Sequence, residues 1–394
     1  MNADKNINGI TAPSPPERAG GEALRFIIAG GGTGGHIFPA VAIANAIKEL
    51  QPGAAILFVG AKGKMEMEKV PQAGYNIKGL TIAGFERSSL IKNIGLPFKL
   101  IKSFLQVRTI FKEFRPDAVI GVGGYSSFPV LRSAQQKGIP SFIHESNSFA
   151  GKSNILLGKK ATKIFVASEG MDQFFPADKI MITGNPVRKS IAESTVTKEE
   201  ALQFFQLRKD KPTILVFGGS LGARSINEVI TKHIVDFNPL GLQVIWQTGK
   251  TTAAQYLERA KPLSNVWAND FINEMDKAYA AADMVVSRSG AMTVAELCVA
   301  KKPVIFVPFP FAAEDHQTVN AKYLVDRNAA LMVKDDVVNT RLFSAITSLA
   351  KDEGKQKQLA NNIAAFAVKD ADKKIAQEIL KATAPSNSPG GGAL

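Results

Sequence analysis

Gly30-Gly31-Gly32-Thr33-Gly34-Gly35-His36 is the stretch that decides the fold. It follows Phe26-Ile27-Ile28-Ala29, an apolar run that reads as a buried strand, and precedes Pro39–Ile47, which reads as a helix. Five glycines at a strand-to-helix turn let backbone N–H groups approach a ligand with no Cβ in the way. The helix N-terminus behind them favours negative charge, so the natural guest is a phosphate or diphosphate. His36 stands where a general base could sit beside that anion. An imidazole that titrates near ~6.5 suits removal of a proton from a sugar hydroxyl. Read alone, it could equally be a helix-start histidine that touches only solvent or phosphate.

Working outward, short apolar runs bounded by Gly or Pro alternate with helical stretches. The first set is Arg25–Ala29, Ala55–Gly60, Ile77–Ile82, Ala118–Val122, Ser141–Glu145, Lys163–Ala167 and Ile180–Thr183. After the turn Gly184-Asn185-Pro186-Val187-Arg188 and a charged helical stretch around Lys198–Lys211, a second set follows. It comprises Thr213–Phe217, Gln243–Gln247, Val266–Phe271, Met284–Ser287, Val304–Val307 and Ala330–Val333. Runs of about five apolar residues fit strands buried on both faces of a parallel sheet. Each set makes one doubly wound α/β domain, and each opens on a glycine turn: Gly30–His36 in the first, Gly218–Ala223 in the second. The first set holds another at Gly121-Val122-Gly123-Gly124-Tyr125. The chain therefore reads as two Rossmann-like domains, 23–188 and 189–360, facing a cleft. The stretches 1–22 and 384–394 read as disordered tails, and the helix around 361–380 is expected to pack back on the first domain.

The chain has 394 residues, a net charge of +13 and one cysteine. The charge calls for an acidic partner: nucleotide, nucleic acid or anionic membrane. Nucleic acid is disfavoured, because neither zinc spacing nor the aromatic-rich signature of single-strand binders is present. Cys298, in an apolar helical run, excludes an intramolecular disulfide framework and fits a core position in a reducing compartment. No run approaches the ~20 apolar residues of a membrane span, and the first 22 residues lack an apolar stretch of signal length. A soluble or peripheral protein on the cytoplasmic side is expected. Phe85–Arg115 carries Arg87, Lys92, Lys99, Lys102, Arg108, Lys112 and Arg115 against Glu86 and Glu113, with Leu90, Ile91, Ile94, Leu96, Phe98, Leu100, Ile101, Phe104 and Leu105 among them. That is the composition of a basic amphipathic segment for anionic lipid, or of an ordinary helix with its apolar face in the core.

Other candidate residues lie at strand ends. Asn147, in His144-Glu145-Ser146-Asn147, can both donate to and accept from a sugar, or cap a turn, with His144 and Glu145 as support. Glu296, one turn into the helix that opens at Ser289-Gly290-Ala291, matches the vicinal hydroxyls of a ribose, or is a solvated glutamate favoured by the dipole. Asp315-His316-Gln317 with Asn320 has sugar-binding density but poor metal spacing. Arg188 lies at the hinge and could meet a phosphate or remain a surface charge. Asp370-Ala371-Asp372 reads as a solvated face, so no metal–diphosphate handle is visible and no cofactor is expected.

Taken together, Gly30–His36, Gly123-Gly124-Tyr125, His144-Glu145-x-Asn147, Gly184–Arg188, Gly218-Gly219-Ser220-x-Gly222-Ala223, Arg288–Glu296 and Asp315–Asn320 resemble the GT-B glycosyltransferases. Within them, the likeness is to the family of peptidoglycan N-acetylglucosaminyltransferases, over about Arg25 to Asp370. The resemblance implies UDP-GlcNAc as donor and lipid I, undecaprenyl-pyrophosphoryl-MurNAc-pentapeptide, as acceptor, giving lipid II with a β-1,4 linkage by inversion. It implies that Ser220, Ile272, Ala291, Met292, Thr293, Val294, Ala295 and Glu296 hold UDP, with Glu296 on the ribose. Asn147, Gln317, Thr33, Gly34 and Gly35 would face the sugar, and Arg188 would help at the hinge. His36 would be the base, and Gly31, Gly32, Gly123, Gly124 and Tyr125 would cradle the acceptor diphosphate. The implied setting is the cytoplasmic face of the inner membrane, peripheral, beside other cell-wall synthesis proteins. One departure is Ser146, where the family commonly has Gln. The rival readings are a GT-B transferase for another lipid, a UDP-sugar epimerase, a non-enzymatic basic nucleic-acid-binding module, and a dinucleotide oxidoreductase. The last is disfavoured because Gly30–Gly35 is not G-x-G-x-x-G and no acidic ribose reader lies ~20 residues on.

Overall fold

The computed structural model describes residues 23–83 and 95–383. The expected tails, 1–22 and 384–394, and the first third of the basic segment, including Arg87 and Lys92, lie outside the described residues. Among the described residues, thirteen strands form two sheets. The first holds β1 (Arg25–Ala29), β2 (Ala55–Ala61), β3 (Asn76–Leu80), β4 (Ala118–Gly121), β5 (Ser141–Glu145), β6 (Lys163–Val166) and β7 (Ile180–Ile182). The second holds β8 (Thr213–Phe217), β9 (Gln243–Gln247), β10 (Val266–Asn269), β11 (Met284–Ser287), β12 (Val304–Phe306) and β13 (Leu331–Met332). The spatial orders are β3-β2-β1-β4-β5-β6-β7 and β10-β9-β8-β11-β12-β13, and the pairings are parallel.

The reason lies in the alternation of buried residues. Along β1, Phe26 and Ile28 enter a core with Ile37, Ile43 and Ile47 of the helix Gly34–Leu50, while Ile27 and Ala29 enter a core with Val107 and Val130 on the other face. Along β8, Ile214 and Val216 face Ile226 and Ile230, while Leu215 and Phe217 face Tyr279 and Leu297. Strands covered on both faces must be apolar throughout, which is why they stand out in the sequence. In each sheet the strand order reverses at one place: between β1 and β4, and between β8 and β11. Ligands of doubly wound sheets bind at the carboxyl ends of the strands there. The glycine turns after β1, β4 and β8 and the helix start after β11 occupy those ends.

Three helices differ from the sequence reading. The first begins at Gly34, not Pro39, so Gly34, Gly35 and His36 are its first turn. Glycine is a poor helix former and Pro39 looks like a start, which hid this turn. The charged stretch after the hinge is helical only over Lys198–Phe204, because Gln206 adopts φ 57 and Leu207 N–H returns to the Leu202 carbonyl. The expected helix at 361–380 is two pieces, Glu353–Ala364 and Ala371–Thr383. Ile375, Ala376 and Ile379 of the latter are buried in the first lobe's core. The segment between these two helices lies against the turn Gly184–Arg188: a Cβ on Gly184 (φ 76) would come 2.9 Å from Val368. Asp372 is half-buried rather than solvated, and desolvation raises its pKa.

The helix Leu96–Phe114 lays Ser103, Val107, Ile110 and Phe111 against the sheet. Its outer face leaves Phe98, Ile101 and Leu105 exposed by 75%, 60% and 60%. Both sequence readings of this segment therefore find a face. No helix among the described residues is long and apolar enough to cross a membrane.

Candidate active site

The first-lobe glycine turns are in direct contact. Gly31 N–H donates to the Gly123 carbonyl at 3.2 Å, and a Cβ on Gly124 (φ 90) would lie 2.5 Å from the Gly31 carbonyl oxygen. Only glycine permits this approach at such φ. His36, third residue of its helix, places Nδ1 3.0 Å from the Gly31 carbonyl. A carbonyl can only accept, so Nδ1 carries the proton and Nε2 the lone pair. A Cβ on Gly123 would lie 2.7 Å from that Nε2, so the imidazole packs over a bare backbone. Thr33 is the N-cap and exposed, and no side chain caps the helix, which leaves the N–H groups of Gly34 and Gly35 open. Tyr125 is 51% exposed at the rim. Gly31 and Gly32 depart from the sequence reading: the Gly31 N–H is taken by the Gly123 carbonyl and the Gly32 N–H by Glu66 Oε2 at 2.8 Å, so neither is free for a diphosphate.

Beside His36, β5 supplies His144, fully buried, with its pKa pushed down to about 3 by desolvation first and by the His36 charge second. Glu145 is support: its carboxylate accepts from Asn147 N–H and Nδ2, Gly151 N–H and Asn154 Nδ2. Asn147 thus keeps its side-chain oxygen for a ligand. Ser146 offers its carbonyl to Asn185 Nδ2 at 3.0 Å.

In the second lobe, the turn Gly218–Ala223 closes with Gly222 N–H on the Gly219 carbonyl, and Gln247 bridges it to Ile272. Gln247 Nε2 donates to the Gly219 carbonyl at 3.0 Å, and its Oε1 accepts from Ile272 N–H at 2.9 Å. The Ile272 side chain is buried in the core, so it does not reach a ligand. Ser220 sits half-buried on the turn. After β11, Gly290 caps the helix Ala291–Ala300 without a side-chain bond, so the N–H groups of Ala291, Met292 and Thr293 point outward. The Met292 side chain is itself buried. Gln317 is tied to this turn: its carbonyl accepts from Ser289 Oγ at 2.8 Å, and its Oε1 accepts from Phe309 N–H, leaving the side-chain NH2 free.

Glu296 is not the open acceptor that its spacing predicts. It is 5% exposed and held by Arg188 in a bidentate pair, Nε–Oε1 2.8 Å and Nη2–Oε2 3.1 Å, with Tyr279 Oη donating at 3.1 Å. Arg188, at the hinge, is accordingly not a free phosphate ligand, and its guanidinium also lies 5.0 Å from the Phe38 ring of the first lobe. The hinge is thus pinned to both lobes. Between the lobes, a cavity of about 440 Å³ brings Ala291, Val294 and Ala295 opposite Ser146 and Asn185. Sequence reasoning missed Glu66, Gln247 and Tyr279. None belongs to a short motif, and each acts across 17 to 34 positions.

Two parallel-sheet lobes, with open helix ends and glycine turns at both switch points and an imidazole beside one of them, define a GT-B architecture for nucleotide-sugar chemistry. Models of the glycosyltransferase family 28 N-terminal domain and C-terminal domain match residues 26–166 and 213–375, and the chain belongs to glycosyltransferase family 28. It is 51% identical over 363 residues to the UDP-N-acetylglucosamine--N-acetylmuramyl-(pentapeptide) pyrophosphoryl-undecaprenol N-acetylglucosamine transferase of Phocaeicola vulgatus, covering 91% of this chain and 96% of that one. The crystal structure of Acinetobacter baumannii MurG superposes with a TM-score of 0.70 at 29% identity, covering 91% of this chain and 99% of the other. A UDP-GlcNAc 2-epimerase from Neisseria meningitidis, at TM-score 0.61 and 15% identity over 91% and 100% of the two chains, shares the fold alone.

Proposed function

We propose that this glycosyltransferase moves GlcNAc from UDP-GlcNAc to the C4 hydroxyl of the MurNAc in a pyrophosphoryl-undecaprenol-linked pentapeptide acceptor. The observation that carries the reading is the pairing of relatives named for that reaction with an imidazole whose Nε2 lone pair is free beside open helix N–H groups. Nε2 of His36 takes the acceptor proton as the oxygen attacks the anomeric carbon. The bond to the UDP oxygen breaks with its electron pair, and the centre inverts. The open helix end at Ala291–Thr293 favours the charge that grows on departing UDP.

Ser220 and the carbonyl of Ile272 serve the nucleotide. Gln317 NH2, Asn147 Oδ1 and the Thr33–Gly35 turn serve the sugar. Gly123, Gly124 and Tyr125 serve the acceptor diphosphate, with Gly31 and Gly32 shaping the turn. Glu296 reads the ribose through the lone pair its three bonds leave, which makes Arg188 its brace. The exposed stripe Phe98, Ile101 and Leu105, flanked by exposed Lys99, Lys102, Arg108 and Lys112, supports docking on an anionic membrane surface on the cytoplasmic side, where the polyprenyl tail sits. The test is a product assay with radiolabelled UDP-GlcNAc. Label should pass to a lipid I analogue and not to diacylglycerol, and transfer to diacylglycerol, or release of free sugar only, would refute the reading.

A further inference from the structure

Glu66 is the most deeply buried carboxylate near the first glycine turn, 1% exposed, and nothing in the reaction described above uses it. It opens the helix Glu66–Gln72 after β2. Its Oε1 accepts from Ala61 N–H at 2.9 Å and its Oε2 from Gly32 N–H at 2.8 Å. Two glycines make room for it: a Cβ on Gly31 would lie 2.2 Å from its carboxyl carbon, and one on Gly60 2.5 Å from its Cγ.

The Gly32 N–H and the Gly31 C=O belong to one peptide unit. That unit donates to Glu66 on one side and accepts from His36 Nδ1 at 3.0 Å on the other. A carboxylate, a planar peptide and an imidazole are therefore joined in series. A negative charge at the N–H end polarises the amide and makes its carbonyl a stronger acceptor, and hydrogen bonds in such chains reinforce one another. The carbonyl in turn favours the Nδ1–H tautomer and stabilises the imidazolium that forms once Nε2 has taken a proton.

We propose that Glu66 is a positioning residue that acts on His36 through the Gly31–Gly32 peptide, fixing its tautomer and strengthening Nε2 as a base. No proton passes along the peptide; the link carries polarisation only. The arrangement resembles the orienting carboxylate of a histidine triad, with one peptide unit interposed. The inference rests on the reading of His36 as the base. Other titratable groups around the imidazole are His144 from β5, held neutral by burial, and Tyr125 at the rim of the turn after β4.

The experiment compares Glu66→Gln and Glu66→Asp with the wild-type enzyme. Glu66→Gln should lower kcat by ~10-fold or more, leave KM for UDP-GlcNAc within about twofold, and move the acid limb of the kcat/KM profile to lower pH, because the imidazolium loses its remote anion. Glu66→Asp, which keeps the charge, should return the limb toward its wild-type position. A limb that stays put in Glu66→Gln, or that moves equally in both variants, would overturn the proposal, since packing alone would explain it. A ¹⁵N NMR titration of the His36 ring, assigned against His36→Ala, reads the same coupling without turnover. It should show the Nδ1–H tautomer in the wild type and a downward-shifted midpoint in Glu66→Gln. An unchanged midpoint there overturns the coupling, whereas normal turnover in His36→Ala would instead sink the base reading on which it rests.

Discussion

Gly123→Ala puts a single methyl where the structure leaves none. The new Cβ would lie 2.7 Å from His36 Nε2 and 2.8 Å from its Cδ2. Ordinary contact begins near ~3.4 Å for carbon, so the ring must retreat by roughly 0.5–1 Å. A displacement of that order in a reacting group costs about 10²-fold in rate. The backbone adds its own penalty, because φ is 96 at this position and a non-glycine residue there costs of order 1–3 kcal/mol. In a lobe of 150–250 residues each kcal/mol is worth about 2–4 °C, so melting should fall by several degrees. The control is Gly241→Ala, at φ 74 with nothing within 4 Å, in a turn of the other lobe. It carries backbone strain without a collision, so it should lose thermal stability and keep its kcat. Calorimetric titration with UDP should give wild-type affinity for both. Wild-type turnover in Gly123→Ala would refute the placement of Nε2 over the glycine turn, and with it the reason for a glycine there.

Three further outcomes follow from the same geometry. Arg188→Ala strands a carboxylate that is 7% exposed at the side chain. Breaking a buried pair costs about 3–5 kcal/mol, less here because Arg188 is itself 22% exposed, so about 2 kcal/mol is expected by chemical denaturation, with weaker UDP binding. Unchanged stability would mean that the pair is incidental. His144 is held at about 3 when folded and titrates near ~6.5 when unfolded, so the unfolded chain takes up a proton first as pH falls. Its contribution to stability is therefore full above ~6.5 and is lost toward pH 3 at up to about 1.4 kcal/mol per pH unit. Urea midpoints at pH 7 and pH 5 should converge in His144→Leu relative to wild type, and equal slopes would contradict this. Replacing Lys99, Lys102 and Arg108 with Glu should reduce sedimentation with anionic vesicles at low salt, and undiminished binding would return the helix Leu96–Phe114 to an ordinary surface.

The parallel sheets were legible because strands covered on both faces must be apolar end to end. The runs read from the sequence match β1, β5, β8, β9 and β11 to the residue and the others within about two. The switch-point turns were legible because only glycine allows Gly124 to lie against Gly31. Helix ends were less so: Gly34 and Gly35 hide a helical first turn, and the break between Glu353–Ala364 and Ala371–Thr383 leaves no proline or glycine to mark it. The site's charges were the least legible. The bond from Arg188 to Glu296 spans 108 positions and that from Gly32 to Glu66 spans 34, so no local spacing shows that either carboxylate is already engaged. Residue type identified the groups that can meet a nucleotide sugar. Only tertiary packing shows which of them are partnered within the protein.

The most direct measurement is steady-state transfer by His36→Ala beside calorimetric binding of UDP-GlcNAc to the same variant. Loss of a positioned general base should lower kcat by ~10²–10⁴-fold, while donor affinity, for which the proposed contacts do not use the His36 imidazole, stays within about twofold. Turnover at the wild-type rate would contradict the account, because the imidazole whose Nε2 lies over the glycine turn at the first switch point would then have no part in the chemistry.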